Sequence, residues 1–149
     1  LCVATLHANN ANQAIERIMH LAPKDQHDKV RFDLSLNIRA IVAQQLVPTT
    51  DGKGRVAAIE ILLNSPLVTD LIQRNEIGSL KEAMKKGKEQ GMQSFDMALY
   101  SLYREGKIDV EQALHHADSP NDLRLMIKLD ANTGASLGTL SNVSIDMDD

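Results

Sequence analysis

His7 is the side chain best placed by type and position to meet an anion. It stands in a polar loop, His7-Ala8-Asn9-Asn10, between the apolar run Leu1-Cys2-Val3-Ala4-Thr5-Leu6 and an amphipathic segment from Asn12 to Met19. A short apolar run with β-branched residues predicts a strand buried on both faces, as in a parallel sheet. Asn10 followed by Gln13 is a variant capping box, and Ala11, Ala14, Ile15, Ile18 and Met19 recur at helical spacing, which predicts a helix. In open α/β sheets, anions and nucleotides bind beyond the carboxyl end of a strand, at the positive end of the following helix. A histidine there can donate a hydrogen bond toward a terminal phosphate oxygen and report its loss. Thr5, two residues earlier on the same side of a strand, could add a hydroxyl. The plainer readings are a loop histidine bonded to a backbone carbonyl and a threonine whose hydroxyl is satisfied within the sheet.

Other candidates are weaker. Gly52-Lys53-Gly54 superficially resembles a phosphate-binding loop, but the order G-x-x-x-x-G-K-[ST] is missing and the tripeptide falls where a hairpin turn is expected. His20 and His27 straddle a helix end, and the adjacent His115 and His116 would point about 100° apart on a helix, so no metal site is expected. No Ser-His-Asp order or nucleophile elbow is recognisable. Cys2 is single, so no intrachain disulfide can form, and its place in an apolar run predicts a small buried side chain.

The elements that must position these residues follow from the pattern. Pro23 ends the first helix. Phe32 to Arg39 alternates like a strand, yet Val30, Leu34, Ile38 and Ile41 fit a helical stripe, and a helix over 28–43 is the expectation. Gln44 to Thr50 and Arg55 to Leu63 flank Asp51-Gly52-Lys53-Gly54, a hairpin signal, with Pro48 marking an edge position or an end of the pairing. Glu60, the one charge in its apolar run, should be paired or face solvent. Thereafter the pattern is helical. Ser65-Pro66, Ser94, Asp109 with Gln112, and Ser119-Pro120 are start signals, Gly106 is a stop, and the periodicity ends at Leu129. The rest, rich in Gly, Ser, Asn and Asp, reads as a mobile tail.

Composition sets limits. With 149 residues, 43% of them hydrophobic, the chain can build one domain with a core, or one domain plus a helical appendage, and two separate cores are not expected. Sixteen basic against twenty acidic residues, a net charge of −4, give no broad field for nucleic acid or anionic lipid. No apolar run approaches a bilayer span and no signal sequence opens the chain. An opening Leu inside a buried-looking strand predicts a chain cut from a longer one. Gly91-Met92-Gln93-Ser94-Phe95-Asp96 reads as a helix end, Gly91, followed by a helix cap, Ser94, with Met92 and Phe95 packed between. Arg17, Arg39 and Arg55 are candidates for subunit contacts.

These stretches also carry a family resemblance. LCVATLHANNANQAIERI resembles the histidine-box segment of the type II/IV secretion motor ATPases, and in particular of the type IV pilus retraction branch, the PilT/PilU family, with PilU-like members foremost. The likeness continues through DLSLNIRAIVAQQLVP, DGKGRVAAIEILLNSPLVTDLI, GMQSFDMALYSLYREGKI and ADSPNDLRLMIKL, covering positions 1 to 129. It implies an α/β fold: residues 1–63 as the carboxyl-terminal part of a RecA-like P-loop ATPase core (strand-loop-helix, helix, β-hairpin) without its P-loop, 64–129 as a small helical carboxyl-terminal subdomain, and 130–149 as a disordered tail.

The resemblance further implies a hexameric ATP-hydrolysing motor that powers pilus retraction and twitching motility. His7 would be catalytic and nucleotide-contacting, and Thr5 nucleotide-contacting. Gly91 to Asp96 resembles the family's GMQTLD-type motif, with Ser94 and Phe95 where that pattern has Thr and Leu, and the motif is associated with retraction rather than nucleotide chemistry. ATP and Mg²⁺ are implied for the intact protein. This chain alone, without Walker A and Walker B motifs, is expected to hold neither and to be inactive. Implied partners are five further copies in a homo-hexamer, the pilus inner-membrane platform and a second retraction ATPase, with no nucleic acid and no direct membrane insertion. The expected location is the cytoplasm, at the inner face of the cell membrane through those partners. The alternative is a non-catalytic helical interaction module or truncated remnant whose histidine loop is only structural.

Overall fold

Two strands, β1 (Ala40–Pro48) and β2 (Arg55–Leu63), pair antiparallel in a register running from Ala40 opposite Leu63 to Pro48 opposite Arg55. The computed structural model describes residues 1–140, with side chains through residue 130. Two helices precede the hairpin, α1 (Ala11–His20) and α2 (His27–Asn37). Five follow it: α3 (Pro66–Gln73), α4 (Leu80–Lys86), α5 (Phe95–Arg104), α6 (Val110–His116) and α7 (Pro120–Leu140). This is the mixed architecture expected, a small sheet followed by a helical array.

Side chains alternate across a strand, so the register gathers Ile41, Ala43, Gln45 and Val47 with Val56, Ala58, Glu60 and Leu62 on one face. The helices cover that face. The other carries Val42 and Leu46, which are 65% and 46% exposed.

Helix starts form where the sequence marks them. Asn10 Oδ1 accepts the Gln13 amide, Ser65 Oγ that of Val68, Ser94 Oγ that of Met97 and Asp109 Oδ1 that of Gln112. Each side chain satisfies one of the amides that a helix leaves without an internal partner.

Three expectations need correction. Leu1 to Leu6 forms no strand, and its residues, Cys2 included, are exposed. A strand is held by its neighbour's ladder, and no described residue pairs with this stretch. The second helix stops at Asn37 rather than Ala43, because Ile38 turns extended (φ −61°, ψ 139°) and Ala40 to Ala43 pair with Leu63 to Glu60. Ladder bonds to a long apolar partner outweigh a weak helical stripe. Finally, α7 continues through the expected end at Leu129 to Leu140, as each residue added to an existing helix needs only one further bond. The remainder of the expected tail, 141–149, lies outside the described residues.

The buried apolar residues form two clusters on the hairpin. One cluster gathers Ala11, Ile15, Leu62, Val68, Ile72, Leu80, Met84 and Met92. A second gathers Val47, Ala58, Phe95, Leu99, Ile108, Ala113 and Leu123. Both draw on the same face of the hairpin, Leu62 serving the first and Ala58 the second. Between those two positions stands Glu60, fully buried, so a polar seam divides the two clusters.

Candidate functional site

The His7 loop is tightened by a three-residue turn in which the Ala8 amide donates to the Leu6 carbonyl at 3.0 Å. His7 has negative φ, so this is an inverse γ-turn, a conformation common where a loop begins. His7 and Thr5 are both exposed. The turn separates them: Thr5 lines a groove of about 550 Å³ with Cys2, Ile18, Ile38 and Ile41, and His7 is not among its walls. The alternation that would aim both side chains at one point requires a strand, and the strand is not formed.

The helix behind the loop differs from the expected anion site. Its first amide, on Ala11, donates to Glu60 Oε1 at 2.7 Å, and its third, on Gln13, donates to Asn10 Oδ1 at 3.0 Å. The Asn9 amide donates in turn to Gln13 Oε1 at 3.2 Å. A buried carboxylate of the protein thus occupies the positive end of α1, where a phosphate could have docked.

Glu60 belongs to a larger polar seam. Lys81 of α4 forms an ion pair with Asp118, Nζ to Oδ2 2.9 Å, in the connection between α6 and α7. Asp96, buried in the first turn of α5, accepts the Asp118 amide at 2.8 Å and the Ser119 amide at 3.2 Å. Burial pushes both the Glu60 and the Asp96 carboxyls above their ordinary values, and the backbone amides they accept oppose that rise. Asp118 adds to the rise at both, and Lys81 works against it.

The sign of the pH effect follows. A carboxyl raised in the fold holds its proton more tightly there than in the unfolded chain. Its stabilising contribution is complete below the unfolded value, near 4.5 for Glu60, and is lost as pH rises through the folded value. Glu60→Gln cannot ionise and removes this dependence, while Asp96 stays in both proteins. The melting temperature of the variant is therefore expected to gain on wild type as pH is raised from about 4.5 to about 8. A difference that stays constant over that interval would contradict the assignment.

In the stretch from Gly91 to Asp96, Met92, Ser94, Phe95 and Asp96 are buried, Gln93 is half-buried and Gly91 is exposed. Gly91 takes φ +92°, in the left-handed region that other residues avoid. Met92 packs so closely on Gly87 that a Cβ there would meet its sulfur at 2.7 Å. Gln93 exchanges two backbone bonds with Ile61, at 2.7 and 2.9 Å, and its Nε2 donates to the Ile59 carbonyl at 2.7 Å, so it extends the far edge of β2. Ser94 caps α5 and Phe95 is fully buried in the second cluster. Met92, Ser94, Phe95 and Asp96 are thus anchors, joining β2, α4, α5 and the start of α7. Ser94 thus supplies a capping hydroxyl and Phe95 an apolar anchor.

The remaining candidates stay apart. Asp51 to Gly54 is the hairpin turn, where Asp51 accepts from the Thr49 hydroxyl at 2.6 Å and the Lys53 amide at 3.1 Å, bonds that lower its carboxyl, the hydroxyl first. His27 bonds the Ala22 carbonyl at 3.0 Å and meets His20 edge-on, with ring centres 6.0 Å apart. Among the described residues no three His, Cys, Asp or Glu side chains converge on a possible metal position. Arg17, Arg39 and Arg55 are exposed.

Sequence reasoning missed Glu60 as the partner of α1 and Asp96 as the holder of the α7 start. The signal for the first was its isolation in an apolar run. The second left none, because a first-turn aspartate is ordinary in any helix.

Residues 1–122 match the family model described as "Type II/IV secretion system protein". The chain is 65% identical over 135 residues to the type IV pilus ATPase PilU of Pseudomonas aeruginosa, covering 91% of this chain and 35% of that protein. It is 37% identical over 123 residues to a twitching motility protein of Neisseria gonorrhoeae, covering 83% and 33%. A crystal structure of the pilus retraction motor PilT with bound ADP superposes with a TM-score of 0.69 at 33% identity, over 80% of this chain and 33% of that one. The chain thus spans about a third of the length of the relatives it matches.

Proposed function

Because the chain belongs to the type II/IV secretion system protein family, we propose that it is the carboxyl-terminal part of a hexameric, ATP-hydrolysing motor that powers type IV pilus retraction and twitching motility. The observation that carries this reading is the 65% identity to PilU across 91% of the chain. The match to the PilT structure supports it, since that motor was crystallised with ADP.

ATP and Mg²⁺ act in the intact protein, and neither is held by this chain alone. When bound, ATP supplies the free energy of phosphoanhydride hydrolysis. This chain would contribute His7, whose ring N–H can donate toward a phosphate oxygen, and Thr5, whose hydroxyl would approach from the groove that His7 does not line. Both are exposed and therefore open to a nucleotide. The start of α1, occupied by Glu60, supplies no phosphate cradle, so that task falls to the rest of the intact protein. Gly91 to Asp96 holds α4, α5 and α7 as a rigid unit on β2, which a motor needs to pass a rotation onward.

The intact protein works as a homo-hexamer on the pilus inner-membrane platform, with a second retraction ATPase as a further candidate partner. Among the described residues no helix is long and apolar enough to cross a membrane, and we assign the protein to the cytoplasmic side of that platform. In a strain lacking the full-length gene, twitching is expected to be lost, or single-pilus retraction events to become fewer or weaker, with recovery on complementation. Unchanged twitching and unchanged retraction in the deletion strain would overturn the reading.

A further inference from the structure

Residues 1–10 are held to the fold by a short list of bonds. Among the described residues, their hydrogen bonds reach no further than Gln13 and Ala14: Ala8 to Leu6, Asn9 to Gln13, Asn10 to Gln13 and Ala14. The long-range bond nearest to this stretch runs from the Ala11 amide to Glu60 Oε1, across 49 residues of sequence. Only Ala8, Asn9 and Asn10 separate that bond from His7.

Glu60 is an unusual partner for a helix start. It is fully buried on β2 between Ala58 and Leu62, and its Oε2 has no hydrogen bond of normal geometry, though the Phe95 amide is near enough to favour the charge. Burying a carboxylate beside one amide is costly unless other groups compensate. The helices beyond the hairpin act on it electrostatically: Asp118 before α7 raises its carboxyl, while Lys81 of α4 and the Phe95 amide at the start of α5 favour its charge. Lys81 and Asp118 are paired at 2.9 Å, and Asp96 holds the Asp118 and Ser119 amides from the first turn of α5.

We infer that Glu60 is a positioning residue for the His7 turn, a polar link through which the helices after the hairpin fix the first amide of α1 and hence the place of His7. It touches no substrate and acts through Ala11. A shift of α4 or of the connection before α7 moves Lys81 and Asp118 against Glu60, and the carboxylate carries that shift to the first amide of α1. The effect on turnover rests on the motor reading, whereas the effect on α1 does not.

The test uses the full-length protein with Glu60→Ala and Glu60→Gln, read by residue-resolved hydrogen exchange and by steady-state ATP hydrolysis. Removing the Glu60–Ala11 hydrogen bond is expected to speed amide exchange across residues 8–14 about tenfold or more in Glu60→Ala, with residues 95–102 unchanged. In the same variant kcat should fall about tenfold while KM for ATP moves less than about twofold. Glu60→Gln keeps an acceptor oxygen in place and should recover most of the protection and most of kcat.

Wild-type exchange over 8–14 in Glu60→Ala would overturn the inference, as would an equal loss of protection in α5, which would mark a role in folding alone. If Glu60→Ala does not fold, the wild-type protein still decides: the Ala11 amide should exchange slowly for a helix's first residue, and rapid exchange there would refute the bond. A wild-type hexamer that does not hydrolyse ATP would defeat the motor reading, while the exchange data would still judge Glu60.

Discussion

Replacing His7 by alanine is expected to lower kcat for ATP hydrolysis about 10²-fold in the full-length protein, the scale seen when a single hydrogen-bond donor to developing charge is removed. The same change should leave thermal unfolding nearly untouched. His7 is exposed and sits at the centre of a turn closed by the backbone of its neighbours, so its loss opens no cavity and breaks no bond that holds the turn. Surface substitutions of this kind usually stay within about 0.5 kcal/mol. Measuring turnover and melting on the same preparation separates the alternatives. Normal turnover in a folded variant would remove His7 from the chemistry, and an equal loss of stability would make it a structural histidine.

The second large effect is expected at Phe95. It is fully buried among Val47, Ala58, Leu99, Ile108 and Leu123, and it begins the helix that Ser94 caps. Phe95→Ala should cost about 3–5 kcal/mol through lost burial and an unfilled cavity. That is a large share of the roughly 5–15 kcal/mol that holds a typical domain together. Phe95→Leu should cost clearly less because most of the apolar volume remains. Chemical denaturation of the two variants provides the comparison. If the alanine variant were as stable as the leucine one, Phe95 would not be the anchor of the second cluster. Retraction should follow the same order as stability, because the side chain cannot meet a partner from within the core.

What could be read in the sequence was what is decided locally. A cap needs a small polar side chain three residues ahead of the amide it accepts, and Asn10, Ser65, Ser94 and Asp109 all do this. The hairpin was legible because its turn and both its strands lie within one stretch of chain. Interactions settled at a distance were not. Leu1 to Leu6 has the composition of a strand, but a ladder requires a neighbour that composition does not name. Ala40 to Ala43 looked like the end of a helix until Glu60 to Leu63 gave it a partner. At the site, His7 and Thr5 were identified by type, while the group that fixes the helix behind them came from 49 residues away. The motif from Gly91 to Asp96 was visible as a motif. Its bonds to Ile59, Ile61, Asp118 and Ser119, which explain why those residue types stand there, could not be seen without the fold.

The central claim is that this chain works inside an ATP-driven pilus retraction motor. Its most direct measurement is steady-state ATP hydrolysis by the purified full-length protein, followed across its assembly by size and with Mg²⁺ added or withdrawn. The account expects hydrolysis that requires Mg²⁺ and rises with the fraction of hexamer. A homogeneous, folded hexamer that hydrolyses no ATP in the presence of Mg²⁺ would contradict it.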